Sequence, residues 1–165
     1  MIWPTPDPTG PGQESVWDFP RPSIAQASDA HLVVILAGRT IAETRRGVRT
    51  IETSHPPSYY FPREDIAANV LRPGTGSSFC EWKGAATYFD VVVGDQARPR
   101  AAWSYAKPRA PFAIIRDHIA FYAAAMDACF VDGEQVLPQP GGFYGGWITS
   151  RVAGPFKGVP GSLGW

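Results

Sequence analysis

Apolar and polar residues between positions 31 and 133 follow the short alternating blocks of β-strands. His31–Ala37 and Thr40–Thr44 flank a turn at Gly38-Arg39 and predict a β-hairpin. Val48–Thr53 alternates with period two, which is typical of a strand with one buried face. Further strands are predicted at Ser77–Trp82, Ala86–Val93, Ala101–Tyr105 and Cys129–Val131, with a turn at Gly94-Asp95.

Helical structure is predicted at only two places. Asp65–Leu71 follows Pro62 and predicts one or two helical turns, which Pro73-Gly74 would end. Pro111 is a suitable first residue for a second short helix, which should continue to about Asp117. Together these patterns predict a mainly β domain.

The two ends of the chain differ in composition from this middle region, 31–133. Residues 1–30 are rich in proline, with Trp3, Trp17 and Phe19 among the prolines, and predict an extended arm that docks on the domain; a disordered tail is the alternative. Residues 134–165 combine eight glycines with five large aromatic residues. We expect this second arm to lack regular structure and to wrap the core or a neighbouring subunit.

Length and charge exclude several classes of protein. A chain of 165 residues is long enough for one domain with a real core. Fifteen basic and fifteen acidic residues leave no net charge, so we expect no nucleic-acid partner. The sequence has no stretch of transmembrane length and no secretory signal pattern, so we expect a cytoplasmic protein with two free thiols and no membrane partner.

Several motifs in the middle region occur together in one known family. They are Ile51–Pro57, Tyr59–Arg63, Cys80–Gly84 with Ala86 and Tyr88, Ala102–Tyr105, and Phe121-Tyr122. In these motifs the chain resembles the bacterial family catalogued as domain of unknown function 427, over about residues 31–133. The resemblance implies a fold similar to the β-tent, a pair of antiparallel sheets that meet at an angle, with one or two short helices.

Many β-tent proteins hold zinc with two Cys-x-x-Cys knuckles, and this chain departs from that pattern. Neither Cys80 nor Cys129 has a second cysteine at the Cys-x-x-Cys spacing, so a tetrahedral thiolate site cannot be built. We therefore expect no metal and no cofactor.

The densest group of polar and aromatic residues is the proline-rich loop Glu52–Arg63. His55 is a candidate acid or base, with Glu52 as its partner. On an extended chain Glu52 and Ser54 would share one face while His55 points to the other, which disfavours a Ser54–His55 pair. The alternative is that Ser54 or His55 caps the turn before Pro56-Pro57.

Two further features of the sequence suggest a binding or catalytic role. Cys80 is a candidate nucleophile if Lys83 or Arg63 lies close, although a small buried side chain is the alternative. Arg63 and Lys83 could hold a carboxylate or phosphate; as an alternative they are ordinary surface ions.

Aromatic residues near predicted strand ends could line a small-molecule cavity, although about half of such residues should belong to the core. The complete set of predicted ligand-binding residues is Glu52, Ser54, His55, Tyr59, Tyr60, Arg63, Lys83, Trp103 and Tyr105. Three functions are therefore compatible with the sequence. They are a small polar or anionic ligand bound beside the loop, acid-base or thiol catalysis by His55 with Glu52 or Cys80, and assembly into a homodimer through swapped arms.

Overall fold

The computed structural model describes residues 3–165, so Met1 and Ile2 of the predicted N-terminal arm lie outside the described part. The fold is mainly β, as predicted. The strands in chain order are β1 (Glu14–Ser15), β2 (Ile24–Ser28), β3 (Leu32–Leu36), β4 (Arg39–Thr44), β5 (Gly47–Ile51), β6 (Ser58–Tyr60), β7 (Leu71–Cys80), β8 (Gly84–Val93), β9 (Gln96–Ser104), β10 (Ile119–Phe121), β11 (Ala128–Val131), β12 (Glu134–Gln135), β13 (Leu137–Pro138), β14 (Trp147–Ile148) and β15 (Val152–Ala153). The 3-10 helices are Val16–Asp18, Arg63–Asp65, Ala110–Ile115 and Ala123–Ala125.

Three antiparallel sheets form the body of the domain. One four-stranded sheet has the order β12-β11-β3-β4, and it contains the predicted hairpin of β3 and β4. The turn of this hairpin is Ala37-Gly38, one residue before the predicted Gly38-Arg39, since Arg39 already pairs with Leu36. A second four-stranded sheet has the order β10-β9-β8-β7, and a three-stranded sheet has the order β2-β5-β6. Because β2 pairs with β5 over its whole length, sheet pairing begins ahead of residue 31.

Two helix predictions differ from the structure. Only Arg63–Asp65 forms a helical turn after Pro62, and Pro73 and Gly74 lie inside strand β7. Strand β7 is the edge of its sheet, and its pairing with β8 is interrupted between Pro73 and Ser77, so a proline is tolerated there. The helix at Pro111 is a 3-10 helix and ends at Ile115, with non-helical backbone angles at Phe112.

The C-terminal region contains short strands where none was predicted. Strand β13 pairs with β14, and β15 pairs in parallel with β1 of the N-terminal arm in the same chain. These pairs are only two residues long, which is too short to leave a periodic pattern in a glycine-rich sequence.

The sheet β10-β9-β8-β7 contributes to two cores because its residues alternate between its faces. On β10, Ile119 and Phe121 belong to a core shared with β3 and β4, whereas Ala120 belongs to a second core shared with β5 and β6. On β9, Ala102 lies in the first core and Trp103 in the second. The first core is sealed, while the second borders a cavity.

Candidate functional site

A cavity of about 380 Å³ lies beside the second core, between the sheet β2-β5-β6, strands β8 and β9, and the C-terminal region. Aromatic residues form much of its lining: Tyr60, Phe79, Trp82, Tyr88, Trp103, Tyr105, Tyr122, Phe143 and Tyr144. Its titratable residues besides tyrosine are Glu52, His55, Cys80, Glu81, Lys83 and Lys157. The cavity therefore combines flat aromatic walls with charged and hydrogen-bonding groups, and its surface is about as polar as it is apolar.

Strand alternation decides which of the predicted aromatic residues reach this cavity. Tyr60 on β6 faces the second core, whereas its neighbours Tyr59 and Phe61 face the first. Trp103 and Tyr105 are two residues apart, so both point to the cavity side. Tyr59 instead packs against Trp147 in the first core, with 5.5 Å between ring centroids.

Three tyrosines of the cavity, Tyr60, Tyr105 and Tyr122, keep their protons at neutral pH. Burial raises the pKa values of Tyr60 and Tyr105 well above the usual range, and burial raises the pKa of Tyr122 to about 12. The indole N–H of Trp103 donates to the Tyr60 hydroxyl at 3.3 Å. These phenols can therefore offer hydrogen bonds but cannot supply a negative charge.

A tight turn brings Glu52 and His55 to the same side of the loop. Ser54 has a positive φ of 74°, and the His55 N–H donates to the Glu52 carbonyl at 3.1 Å. Consequently His55 Nε2 lies 3.8 Å from Glu52 Oε2, and both residues line the cavity. The predicted separation of Glu52 and His55 onto opposite faces was wrong, because it assumed an extended backbone through this turn.

Gln139 determines which ring nitrogen of His55 carries the proton. The side-chain oxygen of Gln139 accepts from the Gly146 N–H at 3.0 Å. The side-chain nitrogen of Gln139 donates to the Lys157 carbonyl at 3.0 Å and to His55 Nδ1 at 2.9 Å. Because the partners Gly146 N–H and Lys157 C=O have fixed roles, the amide has only this orientation. His55 Nδ1 is therefore an acceptor, and the ring proton lies on Nε2, facing Glu52.

His55 is neutral over the physiological pH range. Burial lowers its pKa to about 4, and the positive charges of Lys157, Lys83 and Arg21 act in the same direction. Protonation would also break the hydrogen bond that Nδ1 accepts from Gln139. The ring therefore offers the cavity a neutral N–H donor beside the carboxylate of Glu52.

Ser54 and Arg63 lie away from the cavity. The Ser54 side chain is fully buried, and its hydroxyl has no hydrogen-bond partner within residues 3–165. Arg63 is exposed and packs over Phe89 at 5.0 Å, where it lines a different hollow with Arg116 and His118. The structure thus brings together Glu52, His55, Tyr60, Cys80, Lys83, Trp103 and Tyr105, but not Ser54, Tyr59 or Arg63.

The C-terminal region contributes a part of the site that the sequence pattern did not predict. Gln139, Tyr144 and Lys157 line the cavity, and the Tyr144 ring lies edge-on to His55 at 4.9 Å. At Gly145 a Cβ atom would lie 2.1 Å from the Trp103 ring, so only glycine lets the chain approach this closely. The alternation of glycine with aromatic residues was the only signal of such close packing, and it did not indicate where the segment docks.

The two cysteines should differ sharply in thiol reactivity. Cys80 lines the cavity and is partly exposed, whereas Cys129 is 1% exposed and burial raises its pKa to about 12. We expect one equivalent of Ellman's reagent to react with the folded protein, at Cys80, and a second only after unfolding. Cys80→Ser should abolish the fast reaction, and rapid modification of Cys129 in the folded state would contradict the assignment.

Residues 3–165 contain no group of three or more His, Cys, Asp or Glu side chains arranged to hold a metal ion. In the same part of the chain no helix is long and apolar enough to cross a membrane. The groups that line the cavity are aromatic rings, one imidazole N–H, carboxylates and ammonium groups.

Comparison with known proteins agrees with the resemblance found in the motifs. A search of curated proteins gave no match to this chain. The sequence profile of a family described as "Domain of unknown function (DUF427)" matches residues 24–132. The matched segment includes Glu52, His55, Tyr60, Lys83 and Trp103, but ends before Gln139. The chain belongs to this family of unknown function, DUF427.

Proposed function

We propose that this protein binds a small, planar, negatively charged molecule in the cavity beside the Glu52–Arg63 loop. The observation that carries the proposal is the convergence of aromatic walls, two lysines and a neutral imidazole donor on one cavity of about 380 Å³. Concave sites of roughly 300–1,000 Å³ lined by aromatic side chains and placed polar groups are the usual form of small-molecule sites.

The aromatic walls favour a flat ligand. The rings of Trp103 and Tyr122 are 4.6 Å apart between centroids, and Tyr60 stands edge-on to Trp103 at 6.2 Å. Such packed rings are held in place before a ligand arrives, which lowers the entropy lost on binding. A planar ring offers the largest contact area to walls of this kind.

The lining holds two lysines, Lys83 and Lys157, besides the carboxylates of Glu52 and Glu81, and the lysines are the groups that would hold a negative charge on the ligand. The positive charges of Lys157, Lys83 and Arg21 already disfavour a proton on His55, and the same field would stabilise an anion. Lys83 is partly buried, with its ammonium group 5.6 Å from the Phe112 ring centroid, which restricts where it can point. The Ser23 hydroxyl, which lacks a hydrogen-bond partner within residues 3–165, is a further polar group in the lining.

His55 and Glu52 suit recognition better than proton abstraction. The Nε2 atom of His55 already bears a proton, and Nδ1 is occupied by Gln139, so the neutral ring has no free site for a substrate proton. It can donate to a ligand oxygen, while Glu52 accepts from a ligand N–H or O–H. The enzyme hypothesis requires a different protonation state of this pair, so ligand binding is the function that the geometry supports best.

The proposal is tested by an NMR-detected screen of small aromatic carboxylic acids, led by 4-hydroxybenzoate and indole-3-carboxylate. We expect the hits to shift the indole N–H signals of Trp82 and Trp103. Lys83→Gln should weaken these hits about tenfold, because a hydrogen bond to a charged group contributes roughly 1.5–3 kcal/mol.

Arg63→Gln provides the matched control for this experiment. This variant also removes one positive charge from the protein, but Arg63 lines a separate hollow. Hits should therefore keep their affinity in Arg63→Gln. Equal losses in the two variants, or hits that shift only residues outside the cavity, would overturn the proposal.

A further inference from the structure

A second hollow of about 410 Å³ adjoins the cavity. It is lined by Tyr88, Arg100, Tyr122, Ala124, Ala125, Gly142 and Phe143. Three of these residues, Tyr88, Tyr122 and Phe143, also line the cavity, so the two spaces share a wall. The second hollow therefore lies directly beside the cavity.

Arg100 is placed at this hollow by an irregularity in the sheet. Phe89 on β8 pairs with Ala102 on β9, but Val91 pairs with Arg98, so three residues of β9 oppose the single residue Asp90. Within this bulge Arg100 has a positive φ of 49°, and its backbone N–H donates to Asp90 Oδ1 at 2.9 Å. A bulge of this kind re-aims a side chain, and a positive φ outside glycine has an energetic cost that often accompanies a functional position.

The Arg100 guanidinium is held in a fixed place without using its hydrogen-bond donors. It lies 4.3 Å above the Tyr88 ring, and it packs so closely on Gly76 that a Cβ there would lie 3.3 Å from Nη1. Tyr88 is itself fixed, since its hydroxyl donates to Ser78 Oγ at 2.9 Å. No carboxylate within residues 3–165 forms an ion pair with Arg100, whereas Arg49 is paired with Glu14.

These contacts leave a planar set of donors on an ordered side chain beside the hollow. A guanidinium in this state matches the two oxygens of a carboxylate or phosphate group. Because the Arg100 side chain already stacks on Tyr88, it loses less conformational entropy on binding an anion than a freely moving arginine would.

We infer that Arg100 forms an anion-binding subsite that extends the cavity, and that the ligand has a planar part between the aromatic walls and a carboxylate or phosphate group at Arg100. This inference rests on the proposed function and specifies its ligand class. It makes Arg100 a specificity-determining residue that distinguishes anionic molecules from neutral ones of the same shape.

The test uses inorganic phosphate and acetate as separate probes, titrated at constant ionic strength made up with chloride. We expect saturable NMR shifts of the Arg100 side-chain Nε–H and of Tyr122, with at least tenfold weaker binding in Arg100→Gln. Tighter binding of phosphate would indicate a phosphate ligand, and tighter binding of acetate a carboxylate ligand. Absence of saturation with both anions, or equal affinity in Arg100→Gln, would overturn the inference.

Arg98→Gln is the matched control, because Arg98 lies two residues away on the same strand and contacts Gln96 instead. Phosphate or acetate affinity should remain within about twofold of wild type in this variant. The inference and the proposed function can then fail separately. Anion binding at Arg100 without hits in the cavity would count against the function alone. Hits in the cavity whose affinity is weakened by Lys83→Gln but unchanged by Arg100→Gln would count against the Arg100 subsite alone.

Discussion

Replacing Trp147 with alanine is expected to lower the free energy of unfolding by roughly 3–5 kcal/mol, as large-to-small substitutions in a core do. Trp147 is 1% exposed, and its ring packs on Tyr59 and Phe61 in the first core. Its indole N–H donates to the Phe121 carbonyl at 3.0 Å, and this carbonyl would lose a partner in the variant. Urea unfolding followed by circular dichroism measures the change.

Trp3→Ala is the matched control for this substitution. Trp3 is 51% exposed and contacts Trp17 edge-on at 5.6 Å, so its loss should cost about 1 kcal/mol or less. Trp147→Phe should fall between the two alanine variants, because it keeps most of the buried area but loses the hydrogen bond. Similar losses for Trp147→Ala and Trp3→Ala would contradict the view that the C-terminal region is part of the core.

Acidification should destabilise the protein through His55, and the contribution should approach about 3 kcal/mol near pH 4. In the folded protein the pKa of His55 is lowered to about 4 by burial and by the nearby positive charges, whereas an unfolded chain titrates near pH 6.5. Between these pH values the unfolded state binds more protons, so falling pH favours unfolding. Above pH 6.5 the ring is neutral in both states and the contribution vanishes.

His55→Gln removes this contribution and isolates it from the other titrating groups. We expect the free energy of unfolding to fall between pH 7 and pH 4 in both proteins. The fall should be about 3 kcal/mol smaller in His55→Gln than in wild type. Parallel declines in the two proteins would show that His55 is not the group responsible. Long-range ¹H–¹⁵N NMR spectra of wild type should show the proton on Nε2.

Gln139→Glu is a second variant, and it should raise the pKa of His55 where the wild-type environment lowers it. A carboxylate in place of the amide would accept a proton from Nδ1, which raises the pKa of His55 and favours its charged form. The destabilisation of this variant relative to wild type should therefore decrease as pH falls from 7 to 5. An increase over that range would contradict the role of Gln139 in holding the neutral ring.

Local patterns in the sequence were sufficient for the strands and for part of the site. The hairpin β3–β4 was predicted from an apolar run, a turn and a return run, all within the fourteen residues His31–Thr44. Trp103 and Tyr105 were predicted as cavity residues, and both line it. These features depend on alternation and turn chemistry over a few residues, which single sequences display directly.

The turn at Ser54 depends on contacts that lie outside the local sequence pattern. The pattern before His55 predicted an extended chain, but the Ser54 N–H donates to the Val16 carbonyl at 3.0 Å and the Lys157 N–H donates to the Ser54 carbonyl at 2.9 Å. These partners come from the two arms of the chain. Contacts between such distant segments hold the positive φ of Ser54, and no pattern around residue 54 contains them.

By itself the sequence determined the mainly β fold, the family, and the loop that carries Glu52 and His55, because each depends on short-range patterns or on ordered motifs. Only the tertiary structure decided that Glu52 and His55 face each other, that Arg63 lies elsewhere, and that Gln139 fixes the imidazole proton. The physical reason is that hydrogen bonds and packing act over a few ångströms in space, while Gln139 lies 84 residues from His55 along the chain.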